Sequence, residues 1–248
     1  MKTTNKIGTG LRELPKDKRD FSLTKVFGIT KIEEVPTQDF IVEKPLEIKN
    51  QFNSDLCVAF ASTAVSEDQE GVLLEPTYFF AKVKEKMGDW KSWGADLRTA
   101  CKVAVETGFI ERAESPYTLA HGRDFVANWQ NWPKKLDEKA KKHRKQSYFS
   151  VDGPYDTFDN IRATLWRFRQ EKRSVLTGTL WQSGWTTADR GIIEKEGKPI
   201  SGHAFKVFGQ KNINGKLYLM AQLSNGKEIG DGGIFYLSRE IAVSYTHL

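Results

Sequence analysis

A chain of 248 residues that is 39% hydrophobic can fill one large core or two smaller lobes, and 28% charged residues with a mean hydropathy of −0.53 fit a soluble body. No window approaches the roughly 18 uninterrupted apolar residues of a membrane span, and two cysteines, Cys57 and Cys101, are too few for a disulfide framework or a cysteine-rich zinc site, so both thiols are expected to be reduced. The net charge of +6 and a pI near 9.1 leave an acidic partner to be weighed.

The opening MKTTNKIGTGLRELPKDKRD carries lysines with no apolar stretch behind them, unlike a secretory signal, and a cytoplasmic setting is expected. Residues 1–45, rich in Lys, Pro, Thr and Asp with short β-leaning pieces such as FIVEK, read as an N-terminal arm. The polar run IKNQFNSD then meets CVAFASTAVSEDQE, where small and apolar residues recur at helical spacing as far as Gly71. Asp55 or Ser54 is the expected N-cap of that helix. DLRTACKVAVETG repeats the pattern from Asp96 to Gly108, and Cys101 falls inside it as a small core filler. In PKKLDEKAKKHRKQ the acidic Asp137 and Glu138 stand three or four residues ahead of lysines, beside apolar Leu136 and Ala140; this favours a solvated basic helix over a nucleic-acid surface. YDTFDNIRATLWRFRQEKR adds a helix with Phe158, Ile161, Leu165 and Phe168 spaced by three or four. From about Lys172 the pattern turns to strands, SVLTGTLW, GHAFKVFG, KLYLMAQL and GIFYLSREIAV, separated by turns such as NING. A helical half followed by a β half is an α+β plan.

The chemistry gathers around Cys57. A sulfur in the first turn of a helix meets free backbone N–H groups and the positive end of the dipole, which lowers a thiol pKa. Its nucleophilic use requires a base. His203, which opens a strand after the loop EKEGKPISG, is the best candidate; His121 lies in a turn, His143 in the basic helix and His247 almost at the end of the sequence. Gln51, six residues before Cys57, can join a backbone N–H at Cys57 to hold a developing oxyanion. The aromatic residues Trp90, Trp93, Trp181 and Trp185 read as core and rim. GDGGIF is a turn and not a phosphate loop, and neither H-E-x-x-H nor C-x-x-C occurs, so no metal or cofactor is expected.

IKNQFNSDLCVAFAS, GADLRTACKVAVETGFI, SPY, GHAFKVFG and GDGGIFYLSRE, in that order, resemble the landmarks of the papain-like cysteine peptidases, over about Asp20 to Glu240. The resemblance implies a papain-like two-lobe fold, a helical N-terminal lobe and a β-barrel-like C-terminal lobe with the cleft between them. It divides the chain into an arm, 1–45, and a peptidase domain, 46–248, whose lobes run over about 46–150 and 151–248. It implies Cys57 as nucleophile, His203 as base and acid, Gln51 as oxyanion donor and Gly94 as a contact for the substrate backbone, with a peptide or protein as substrate. Around the nucleophile the family signature C-G-[SA]-C-[WY] is here Ser54-Asp55-Leu56-Cys57-Val58, of which the cysteine itself is shared. AQLSNGKEIGDGG aligns on the family's Asn-Ser-Trp-Gly landmark, with Leu223 at the histidine-orienting Asn and Asn225 two residues on as the candidate substitute. Asp55 and Leu223 motivate a second reading, a catalytically weak or silent papain-like module that binds peptide or protein.

Overall fold

The computed structural model describes residues 9–12 and 20–247, the last four of these as backbone alone. In chain order its principal elements are α1 (Leu23–Phe27), β1 (Phe40–Ile41), α2 (Cys57–Glu70), α3 (Pro76–Met87), α4 (Leu97–Glu106), α5 (Arg123–Ala127), α6 (Lys135–Ala140), α7 (Thr157–Arg167), β2 (Val175–Gln182), β3 (Ile192–Ile193), β4 (Pro199–Ile213), β5 (Lys216–Gln222), β6 (Ile234–Leu237), α8 (Arg239–Tyr245) and β7 (Thr246–His247). None of the described helices is long and apolar enough to cross a membrane.

The first lobe forms around α2. That helix stops where Gly71 takes the left-handed conformation and its N–H bonds back to the Glu67 carbonyl, a cap a residue with a Cβ adopts at a cost. Leu56, Phe60, Leu74, Tyr78, Phe79, Phe80, Phe109 and Leu136 pack with it as one apolar cluster. The long helix α3, which the sequence reading did not single out, starts with Pro76 in its first turn and Glu75 accepting from the Thr77 N–H. In the basic stretch, α6 buries Leu136 and Ala140, while Lys139, Lys141 and Lys142 pair with Glu114, Glu138 and Glu111. Each of those cations is therefore already opposite a carboxylate.

The second lobe is a mixed sheet in the order β3-β6-β5-β4-β2-β7, with β1 added against β4; β3 and β6 run parallel and the other pairs antiparallel. Its core joins Phe158, Ile161 and Leu165 of α7 to Trp181, Phe205, Leu219, Leu223 and Phe235. GIFYLSREIAV divides in two: only Ile234–Leu237 is strand, and Arg239 begins α8, which packs on α7 through Arg239 bonds to Asp156 and Asp159. Helix α8 also buries Ile241 and Ala242 in the second lobe's core, so tertiary packing overrides the strand preference of Ile and Val in that segment.

The lobes meet along α2 and β4. Lys206 of β4 donates to Asp68 of α2 at 2.7 Å, both side chains about 1% exposed. Nearby, Lys49 binds Glu67, whose carboxylate also accepts the Leu74 N–H. Burial lowers the pKa of Lys206 and raises that of Asp68, and each partner's charge opposes the shift of the other.

Candidate active site

Cys57 opens α2, but its cap is not the expected one. The N-cap position is Leu56, whose side chain makes no capping bond. Asp55 has turned away: Arg123 grips it in a two-pronged pair at 2.9 and 2.8 Å, and the Gly94 N–H donates to its Oδ2. Burial pushes the Asp55 carboxyl up, and the bonds from Arg123 and Gly94 outweigh it and hold the group below its usual range. Arg123 also donates to the carbonyls of Trp90 and Ser92, so Asp55 is the centre of a brace for the loop before Gly94.

The thiol itself is fully buried. Burial pushes Cys57 up to about 12, against the opposing effect of the Ala204 and Val58 N–H groups, and the Asp55 charge adds a smaller upward push. The lowered thiol pKa expected from the helix start is therefore overturned in this state of the chain, because desolvation outweighs the helix terminus. The Ala204 N–H donates to Cys57 Sγ at 3.4 Å. Ala204 directly follows His203, so the sulfur lies against the histidine's own stretch of β4.

His203 is completely buried and stands opposite Thr179 in the β2–β4 ladder. Trp181, two residues along the same face of β2, meets the imidazole edge to face at 5.5 Å and is backed by Trp185 and Phe235. Gln51, also fully buried, donates from Nε2 to the Ser54 carbonyl at 2.9 Å and accepts from Ser224 Oγ at 2.6 Å. Its backbone N–H donates to the Ser224 carbonyl at 2.7 Å, and Asn50 and Asn225 bridge the same two segments. Gln51 and Asn225 thus occupy adjoining segments at the lobe junction. Leu223 is buried in the second lobe's core. Gly94 has φ +64 and stands on the opposite wall, its N–H committed to Asp55 and its carbonyl to Lys84.

Between these walls runs the chain's own segment of residues 10–12, bonded to both. Gly10 and Leu11 both donate to the Gly202 carbonyl at 3.1 Å. Across the cleft the Ala95 N–H donates to the Gly10 carbonyl and the Arg12 N–H to the Ala95 carbonyl, each at 2.8 Å, so Leu11 and Ala95 form a parallel bridge. Glycine makes the fit: a Cβ on Gly10 would overlap the Asp55 carbonyl, and one on Gly94 would overlap the Gly10 carbonyl. The Leu11 side chain rests on Gly178 and belongs to the apolar cluster that holds Cys57 and Ala204. This segment, Ala95 and the Arg123 brace were not legible in the sequence.

No protein-family model matches the sequence, and no curated protein matches it. Among solved structures, xylellain, a cysteine protease from Xylella fastidiosa, superposes with a TM-score of 0.79 at 18% identity, over 97% of this chain and 93% of that one. The chain has a papain-like fold. A procathepsin B from Trypanosoma congolense matches it at TM-score 0.69 and 17% identity, covering 96% and 85% of the two chains. A digestive procathepsin L2 from the Tenebrio molitor larval midgut matches at 0.68 and 16%, covering 96% and 76%. The papain-like fold is the two-lobe α+β plan that the order of landmarks implied, and it sets α2 and β4 on either side of one junction.

Proposed function

We propose that the protein is a thiol peptidase whose cleft is closed by its own N-terminal strap, residues 10–12. The single observation carrying this reading is the 3.4 Å contact from the Ala204 N–H to Cys57 Sγ, which joins the first turn of α2 to the strand bearing His203. With the strap displaced and water admitted, His203 takes the thiol proton and the sulfur attacks a peptide carbonyl. Gln51 Nε2 has a second N–H beyond the one given to Ser54, and with the Cys57 N–H it holds the oxyanion. His203 then protonates the leaving amine, and water releases the acyl group from sulfur. Hydrolysis of a fluorogenic peptide that vanishes in Cys57→Ala tests this. The silent peptide-binding module is the competing reading, motivated by the alignment that sets Leu223 on the histidine-orienting landmark and favoured by the burial of Cys57. It predicts peptide binding with turnover that Cys57→Ala leaves unchanged from background.

A further inference from the structure

We propose that Phe52 is a specificity-determining residue of the cleft, acting with Trp93 to seat an aromatic side chain of a bound peptide. This deepens the thiol-peptidase reading and rests on it for the identity of the ligand as a peptide. Phe52 follows Gln51 and takes the first central position of the turn Gln51–Ser54, with φ +51. A positive φ there is the habit of Gly, Asn and Asp, and a bulky residue adopts it at a cost. The turn is locked from several directions. The Ser54 N–H and Oγ donate to the Gln51 carbonyl at 3.1 and 2.6 Å, Gln51 Nε2 donates to the Ser54 carbonyl, and the Phe52 N–H donates to Asn50 Oδ1 at 2.7 Å. None of these bonds uses the Phe52 side chain, which is 66% exposed. The fold thus gains little packing from a ring at a backbone position that glycine would fill without strain.

Trp93 is a second large apolar side chain left open beside the cleft, at 47% exposure. It and Phe52 line one cavity of about 620 Å³. Among the described residues neither ring packs against another aromatic ring. The cavity is continuous with the candidate site, since Gln51 and Asp55 also line it. An extended stretch of peptide already passes its mouth: Gly10 lies against the Asp55 carbonyl, and Arg12 Nε donates to the Trp93 carbonyl. A peptide that takes the place of residues 10–12 runs between the same two landmarks and offers a side chain to the cavity. Covering the two exposed rings removes apolar surface from water, and aromatic pairs add to that gain. The charged residues lining the cavity are Asp55, Lys91, Arg123 and Asp124, with Arg123 paired to both carboxylates, so the walls select an aromatic surface and not a net charge.

The test is fluorescence anisotropy of labelled peptides on the full chain carrying Gly10→Val, to displace the strap, and Cys57→Ala, to prevent turnover. The peptides differ in one residue, phenylalanine or alanine, moved through each position in turn. At one position phenylalanine is expected to bind about three- to tenfold more tightly than alanine, the scale of one aromatic pair. Phe52→Gly in the same background removes that preference, Trp93→Ala weakens it, and Phe52→Tyr keeps it. Phe52→Gly should also melt about 2 °C above its parent, because glycine takes the positive φ without strain and no packed ring is lost. Phe52→Asn, which tolerates the same backbone, removes the preference too and serves if glycine loosens the turn. Phenylalanine and alanine peptides that bind alike at every position, an absence of peptide binding, or a preference that survives both Phe52→Gly and Phe52→Asn overturns the proposal. A lowered melting temperature in Phe52→Gly and Phe52→Asn also overturns it, since the ring would then serve the fold. Because binding is read without turnover, Phe52 is decided even if no peptide is cleaved, whereas failure of the peptidase reading appears separately as absent Cys57-dependent hydrolysis.

Discussion

Leu11 and Ala95 lie side by side in an isolated parallel bridge, so a segment more than eighty residues upstream in the chain is bonded through its backbone to the loop that follows Gly94. Leu11 shares an apolar cluster with Cys57, whose side chain is fully buried.

Displacing the strap should therefore change the thiol before it changes anything else. Gly10→Val places a branched side chain where a single Cβ already overlaps the Asp55 carbonyl. The variant is expected to fold, because α2, α3 and α4 pack directly on one another around Tyr78, Phe79, Phe80 and Phe109, and to react with iodoacetamide at Cys57 faster than wild type. Each unit by which the thiol pKa falls from about 12 toward the ordinary ~8.5 raises the thiolate fraction about tenfold. Peptide mapping by mass spectrometry at pH 8 reads the rate, with Cys101 as the internal reference; equal Cys57 rates in the two proteins would contradict the role given to the strap.

The buried bond between Lys206 and Asp68 makes a second expectation quantitative. Lys206→Met leaves Asp68 as an uncompensated charge about 1% exposed, and removal of one partner of such a pair costs roughly 3–5 kcal/mol. The double variant Lys206→Met with Asp68→Leu removes both charges and should recover most of that loss. Urea unfolding of the single and double variants checks it; a single variant as stable as wild type would show that the pair does not clamp the lobes.

A pH dependence follows from the Asp55 brace. Its carboxyl is held below the usual range in the folded chain, so the folded state binds this proton less readily than the unfolded state. Its contribution to stability is full above the unfolded value of about 3.9 and is lost as pH falls through the lower folded value. Asp55→Asn should consequently melt below wild type at pH 6, and the gap should close as the pH approaches 2. A gap that persists unchanged into acid would assign the stabilisation to packing and not to the charge on Asp55.

The fold was legible wherever a local pattern decided the structure. Gly71 ends α2, and Asp96 caps α4 through its bond to the Thr99 N–H, both within a few residues of the signals that announced them. Legibility ended where distant groups decide. Asp55 has the chemistry of an N-cap, yet Arg123, sixty-eight residues later, offers it two charge-assisted bonds and takes it off the helix. The segment Arg239–Tyr245 has strand-forming residues but packs as a helix, with Ile241 and Ala242 in the second lobe's core and Arg239 bound to Asp156, the N-cap of α7, and to Asp159. At the candidate site the type and order of Gln51, Cys57 and His203 were visible, whereas the full burial of Cys57, in an apolar cluster that draws in residues as distant in sequence as Leu11 and Ala204, leaves no trace in the spacing near Cys57.

The pH profile of Cys57 alkylation in full-length Gly10→Val, followed by mass spectrometry, tests the central claim most directly. A thiol partnered by His203 is expected to react with an apparent pKa well below the ordinary ~8.5, and His203→Ala in the same background should move that midpoint back up by at least one unit. A Cys57 that titrates at or above the ordinary thiol value in the folded variant, indifferent to His203→Ala, would contradict the peptidase account.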